Sequence, residues 1–110
     1  MKALVVVDGG ICGFQTRIHA ESDDTQNVTF KITSGCEKAG KFGEALMGKG
    51  PVDGYAEIGA GADGVVLTTA REHLKGCCAA CAVPIGAFKA MQVAAGVALP
   101  KDVTLKVAGT

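Results

Sequence analysis

From residue 14 to residue 33 the chain alternates between apolar and polar side chains. Phe14, Thr16, Ile18 and Ala20 fall on one side of an extended backbone, and Gln15, Arg17, His19 and Glu21 on the other. After the polar turn Asp23-Asp24-Thr25-Gln26, Val28, Phe30 and Ile32 alternate with Thr29, Lys31 and Thr33. A period of two predicts a pair of half-buried antiparallel strands joined as a hairpin. A continuous apolar run over 2–7, ended by Asp8-Gly9-Gly10, predicts a strand before them. Val103, Leu105 and Val107, set against Thr104, Lys106 and Ala108, predict a final strand.

Helical spacing fills the interval between. Ser34-Gly35-Cys36-Glu37 has the form of a capping box, with Ser34 as the cap and Cys36 as the second helical residue. Ala39, Phe42, Ala45 and Leu46 then recur on one helical face until Gly48 and Gly50-Pro51. Residues 51–64 are rich in glycine and read as a mobile loop with a short helical turn, anchored by Tyr55 and Ile58 and able to fold over the cysteines. A second capping box, Thr69-Ala70-Arg71-Glu72, predicts a short helix through Leu74. Pro84 suits a first helical position, and Ile85, Phe88, Met91 and Ala95 predict a well-buried helix ending near 96–99. The order β-β-β-α-α-α-β implies an α+β fold, a two-layer sandwich of one antiparallel sheet with helices on one face. At 110 residues the chain is expected to form a single domain, 1–110.

Composition narrows the function classes. Eleven basic residues balance eleven acidic ones, and the lysines are interleaved with glutamates, so no basic stripe forms to hold nucleic acid. The longest apolar run is well short of the roughly 20 residues a spanning helix needs. The start, Met1 to Asp8, is too short an apolar run for a signal peptide, which gives a cytoplasmic expectation. Nucleophile-elbow, zinc-protease and phosphate-loop patterns are absent from the sequence. Asp8, Asp23, Asp24 and Asp53 read as turn formers, and His19, between Arg17 and Glu21, reads as part of a solvated face.

The five cysteines carry the chemistry. Cys12 is expected to open a strand, Cys36 to sit in the first turn of a helix, and Cys81 to precede the helix at Pro84. Thiols used for packing favour the middle of apolar stripes, whereas thiols at element starts can converge on one point. A helix start favours the thiolate, and a soft, sulfur-rich site selects iron or zinc over magnesium or calcium. Cys78-Ala79-Ala80-Cys81 adds a C-x-x-C spacing that lets two sulfurs reach one metal or cluster. An odd number of thiols in a reducing compartment argues against a disulfide framework.

The leading expectation is therefore a module in which Cys12, Cys36, Cys78 and Cys81 bind an iron–sulfur cluster, zinc or iron, with Cys77 and His73 in reserve. A protein partner would dock at the cysteine tip. Two other readings stand beside it. Cys78 and Cys81 would form a thiol–disulfide pair with Cys36 as a separate nucleophile, or the cysteines would only pack a structural or partner-binding domain.

The order of these features resembles the NifU/IscU-type iron–sulfur cluster scaffold family over about residues 11–97. Cys12-Gly13 matches that family's C-G at the hairpin, Gly35-Cys36 its G-C at a helix start, and Cys81 its distal cysteine before the last long helix. The resemblance implies a NifU/IscU-like fold in which Cys12, Cys36 and Cys81 gather at one tip and hold a nascent cluster or zinc. Phe14 stands where the family has Asp, and Ala80 where it has the ligand His. Cys78 would then replace that His as fourth ligand. The departures suit a divergent relative rather than a transient cluster donor.

Overall fold

A computed structural model describes residues 1–77 and 81–110. The predicted hairpin is there, with its neighbour. Strands β1 (Lys2–Asp8), β2 (Gln15–Glu21) and β3 (Asn27–Ser34) pair antiparallel in sequence order. Val5 stands opposite Ile18, which in turn stands opposite Ile32. This register keeps Thr16, Ile18, Ala20, Val28, Phe30 and Ile32 on one buried face, and leaves Leu4, Val6, Arg17, His19 and Lys31 on the exposed one.

The fourth strand is not the one the alternation predicts. It is the two-residue β4 (Val52–Asp53), antiparallel to Asn27 and Val28 at the start of β3. Residues 101–110 form no strand and are exposed throughout. Their pattern is right, but the segment finds no ladder partner among the described residues. The observed element order, β-β-β-α-β-α-α-α, therefore departs from β-β-β-α-α-α-β from the end of α1 onward.

Four α-helices complete the α+β fold among the described residues. They are α1 (Glu37–Gly48), α2 (Gly54–Ala60), α3 (Val65–His73) and α4 (Val83–Ala94). α1 packs on β3, α4 on β1 and β2, and α3 against α1 and α4. The core lies between, built from Ile18, Val28, Phe42, Leu46, Val66, Ala87 and Met91, all fully enclosed. No helix among the described residues is long and apolar enough to cross a membrane.

Helix starts follow other chemistry than the two capping boxes. Ser34 Oγ accepts from the Cys36 N–H at 3.1 Å, a local turn before the helix, and Cys36 itself is the cap residue of α1. Glu37 is then the first helical residue and pairs with Lys41 one turn on, at 3.1 Å. Thr69 lies inside α3, which begins four residues earlier. The cap of α3 comes from a distance: the buried Glu57 carboxylate accepts from the N–H groups of Val65 and Val66 at 2.9 and 2.6 Å. The 51–64 segment is ordered into β4, α2 and a 3-10 turn at Gly61–Asp63. Its helix α2 is capped by Asp53, which accepts from Tyr55 and Ala56. Tyr55 and Ile58, expected as anchors, are exposed, as is Ile85 on α4. Val52, Gly54, Glu57 and Gly64 are the buried residues of the segment.

Candidate metal centre

The described cysteines lie on chain connections that lead to one end of the sheet. Asp8 at the end of β1, Gln15 and Thr16 at the start of β2, and Ser34 at the end of β3 share one end of the sheet. A hydrogen bond of 2.7 Å between Thr16 Oγ1 and Ser34 Oγ ties that end together. The β1–β2 connection runs across it and carries Cys12. The β3–α1 junction at the same end carries Cys36.

The two remaining described cysteines arrive from the helical layer. Lys38, in the first turn of α1, donates through Nζ to the Lys75 carbonyl at 2.7 Å. That bond holds the turn after α3, where Gly76 takes a positive φ of 82° and the Cys77 N–H donates to the Leu74 carbonyl. Cys77 thus stands beside the start of α1, which Cys36 caps. α4 begins over the end of β1: a Cβ added at Gly86 would lie 2.6 Å from Val7 Cγ2. Cys81 lies two residues before that helix start, ahead of the cap residue Ala82.

The individual thiols differ in setting. Cys36 and Cys81 are half-buried and pack against the core. Cys12 and Cys77 are exposed. Cys12 lies in a 3-10 turn, Gly10–Cys12, and not at a strand start, because Gly10 and Gly13 both adopt positive φ and curl the chain before β2. Its sulfur rests against Gly9, where any Cβ would collide with it. Cys78 lies outside the described residues. Among the described residues, no three His, Cys, Asp or Glu side chains stand close enough to hold a metal ion.

Phe14 has a place that its strand assignment missed. It precedes β2 and is half exposed rather than part of the buried face. The Gly9 N–H donates to its carbonyl at 2.9 Å. Its ring lies over Gly35, where an added Cβ would be 3.3 Å from Cδ1. The ring therefore joins the Cys12 turn to the residue before Cys36. The glycines at 9 and 35 were the available signal, since each leaves room for a close neighbour. His73 ends α3, and its Nδ1 lies 2.9 Å from the Thr69 carbonyl, so one ring nitrogen is engaged by its own helix. The 51–64 segment does not fold over this end. Its first residues pair with the start of β3, opposite the end that leads to Cys36.

Over residues 3–107 the chain matches the model of a family of unknown function, DUF6951, and belongs to that family. No curated protein matches it, and no solved structure does.

Proposed function

We propose that this member of the family is a metal-binding module whose ligands are Cys12, Cys36, Cys78 and Cys81, holding zinc, iron or an iron–sulfur cluster. The observation that carries the reading is topological: three separate chain connections deliver Cys12, Cys36, Cys77 and Cys81 to one end of the sheet. Two of those thiols stand at the starts of α1 and α4, each twelve residues long. Helix N-termini present unpaired N–H groups and favour negative charge, which a thiolate-bound metal or cluster supplies. The donor set is soft and suits zinc or iron. Ligation requires the Cys12 turn to bring its sulfur toward Cys36, and the positive-φ glycines at 10 and 13 border that turn.

The arrangement also fits a NifU/IscU-like module, with cysteines at a hairpin turn, at a helix start and before the last helix. Phe14 in place of the acidic residue, and Cys78 in place of the histidine, would give an all-sulfur site that retains its metal. The exposed Phe14 ring, over Gly35 in the β3–α1 connection, would supply an apolar surface for a protein partner at that tip.

Metal and acid-labile sulfide analysis, with an absorption spectrum, tests this on protein purified without oxygen as wild type and Cys36→Ala. Iron with sulfide and a broad visible band, lost in the variant, would support a cluster. Colourless zinc lost in the variant would support the ligand set with a single metal. Protein that stays metal-free after reconstitution would end the metal reading and favour thiol–disulfide chemistry at Cys78 and Cys81.

A further inference from the structure

Residues 101–110 pose a question that the cysteines do not answer. Val103, Leu105 and Val107 are 60, 77 and 96% exposed, at the strand spacing of a half-buried sheet. Such regular alternation of exposed apolar side chains is a pattern for pairing. The chain's longest dimension is 45 Å against 27 and 23 Å for the others, as an extended segment leaving a compact body gives.

The sheet has a matching deficit. β1 has a single strand neighbour, β2, so its other edge presents seven residues of backbone without a ladder partner among the described residues. Of its core-facing side chains Val7 is buried and Ala3 and Val5 are half-buried, whereas on β2 and β3 the core-facing side chains are buried except Ser34 at the strand end. α4 packs on β1 from the core side, and beyond β1 the sheet edge stays open to a further strand. One more strand, with its apolar side inward, would close it.

Charge fixes the direction. On a strand formed by 102–107, Asp102, Thr104 and Lys106 share one side and Val103, Leu105 and Val107 the other. With the apolar side turned to the core face, parallel alignment sets Asp102 beside Lys2 and Lys106 toward Asp8. Antiparallel alignment in the same phase, with Leu105 opposite Val5, sets Asp102 beside Asp8 and Lys106 toward Lys2, which opposes pairing. We propose that residues 103–107 of one copy add in parallel to the β1 edge of a second copy, and that the exchange is reciprocal, giving a two-fold dimer with a fifth strand on each sheet. Exchange of an identical element between copies is a low-cost route to a dimer, and addition to a strand edge supplies main-chain hydrogen bonds without remodelling the acceptor. The exchange also removes an exposed edge that would otherwise template aggregation.

The test is the mass of the full chain in solution by light scattering over a concentration series, in reducing buffer so that disulfide-linked pairs do not count. The expected result is a mass twice that of one chain for the wild type. Leu105→Asp should return it to the mass of one chain with unchanged far-ultraviolet circular dichroism. Lys2→Glu and Asp102→Lys should each weaken dimerisation at least several-fold, and the double variant should restore it. A wild type that stays monomeric, a dimer that survives Leu105→Asp, or a double variant no better than the single ones would overturn the proposal. Protection of the 103–107 amides from hydrogen exchange in a monomer would overturn it too, by showing closure on the chain's own sheet.

Discussion

The carboxylate of Glu57 is 4% exposed and takes two N–H groups at the start of α3 that would otherwise be unpaired. Gly64 permits the approach, since a Cβ there would stand 2.6 Å from Glu57 Oε2. Leaving buried donors without partners costs about 1–3 kcal/mol, so Glu57→Ala should lower the unfolding free energy by about 2 kcal/mol in urea titration. Glu57→Gln, which keeps one acceptor oxygen, should cost clearly less. Equal losses in the two variants would contradict the capping role. Asp24 acts through the same chemistry at the surface. The Asn27 side-chain amide, then the backbone N–H groups of Asn27 and Gln26, hold its carboxyl well below the usual carboxylate range. Asp53 is lowered too, first by the Gln26 side-chain amide. A depressed folded-state value means stability that is present above the unfolded value of about 4 and lost as pH falls through the folded one. Wild-type protein should therefore lose more Tm than Asp24→Ala between about pH 5 and pH 2. Parallel acid profiles would show that the turn contributes nothing. Asp24 was legible as a turn former. Glu57 was not, because its partners lie eight and nine residues away and are backbone groups.

Helix placement depends on two glycines that face the sheet. A Cβ at Gly43 of α1 would meet Ile32 Cβ at 2.8 Å, and one at Gly86 of α4 would meet Val7 Cγ2 at 2.6 Å. Gly40, in the same helix as Gly43, has open space around it, and the pair is its own control. Gly40→Ala should stabilise by up to about 1 kcal/mol through helix propensity. Gly43→Ala should destabilise by about 1–2 kcal/mol, because overpacking against β3 outweighs that gain. Denaturant midpoints would decide it, and a stabilised Gly43→Ala would refute the close approach. Period-two alternation located β2 and β3 almost to the residue because one of their faces is enclosed. The same alternation at 103–107 overreached, since a pattern specifies a face to bury but not where the covering surface is. Ser34-x-x-Glu37 placed α1 two residues early, for a serine can satisfy a turn N–H before the helix begins.

Across the whole molecule, the sequence placed Cys36 and Cys81 at helix starts, misplaced Cys12 at a strand start, and did not show that these positions share one end of the sheet. That follows from the antiparallel register and from α3 and Lys38, which return the chain to the first turn of α1. Contacts of this kind join residues about 40 apart and leave no local trace. The central claim is the proposed four-sulfur metal site, and X-ray absorption at the zinc edge of zinc-loaded, reduced protein reads it most directly. A shell of four sulfurs at about 2.3 Å, falling to three in Cys36→Ala, is the predicted result. A shell of nitrogen and oxygen at about 2.0 Å, or zinc that is not retained in stoichiometric amount, would contradict it.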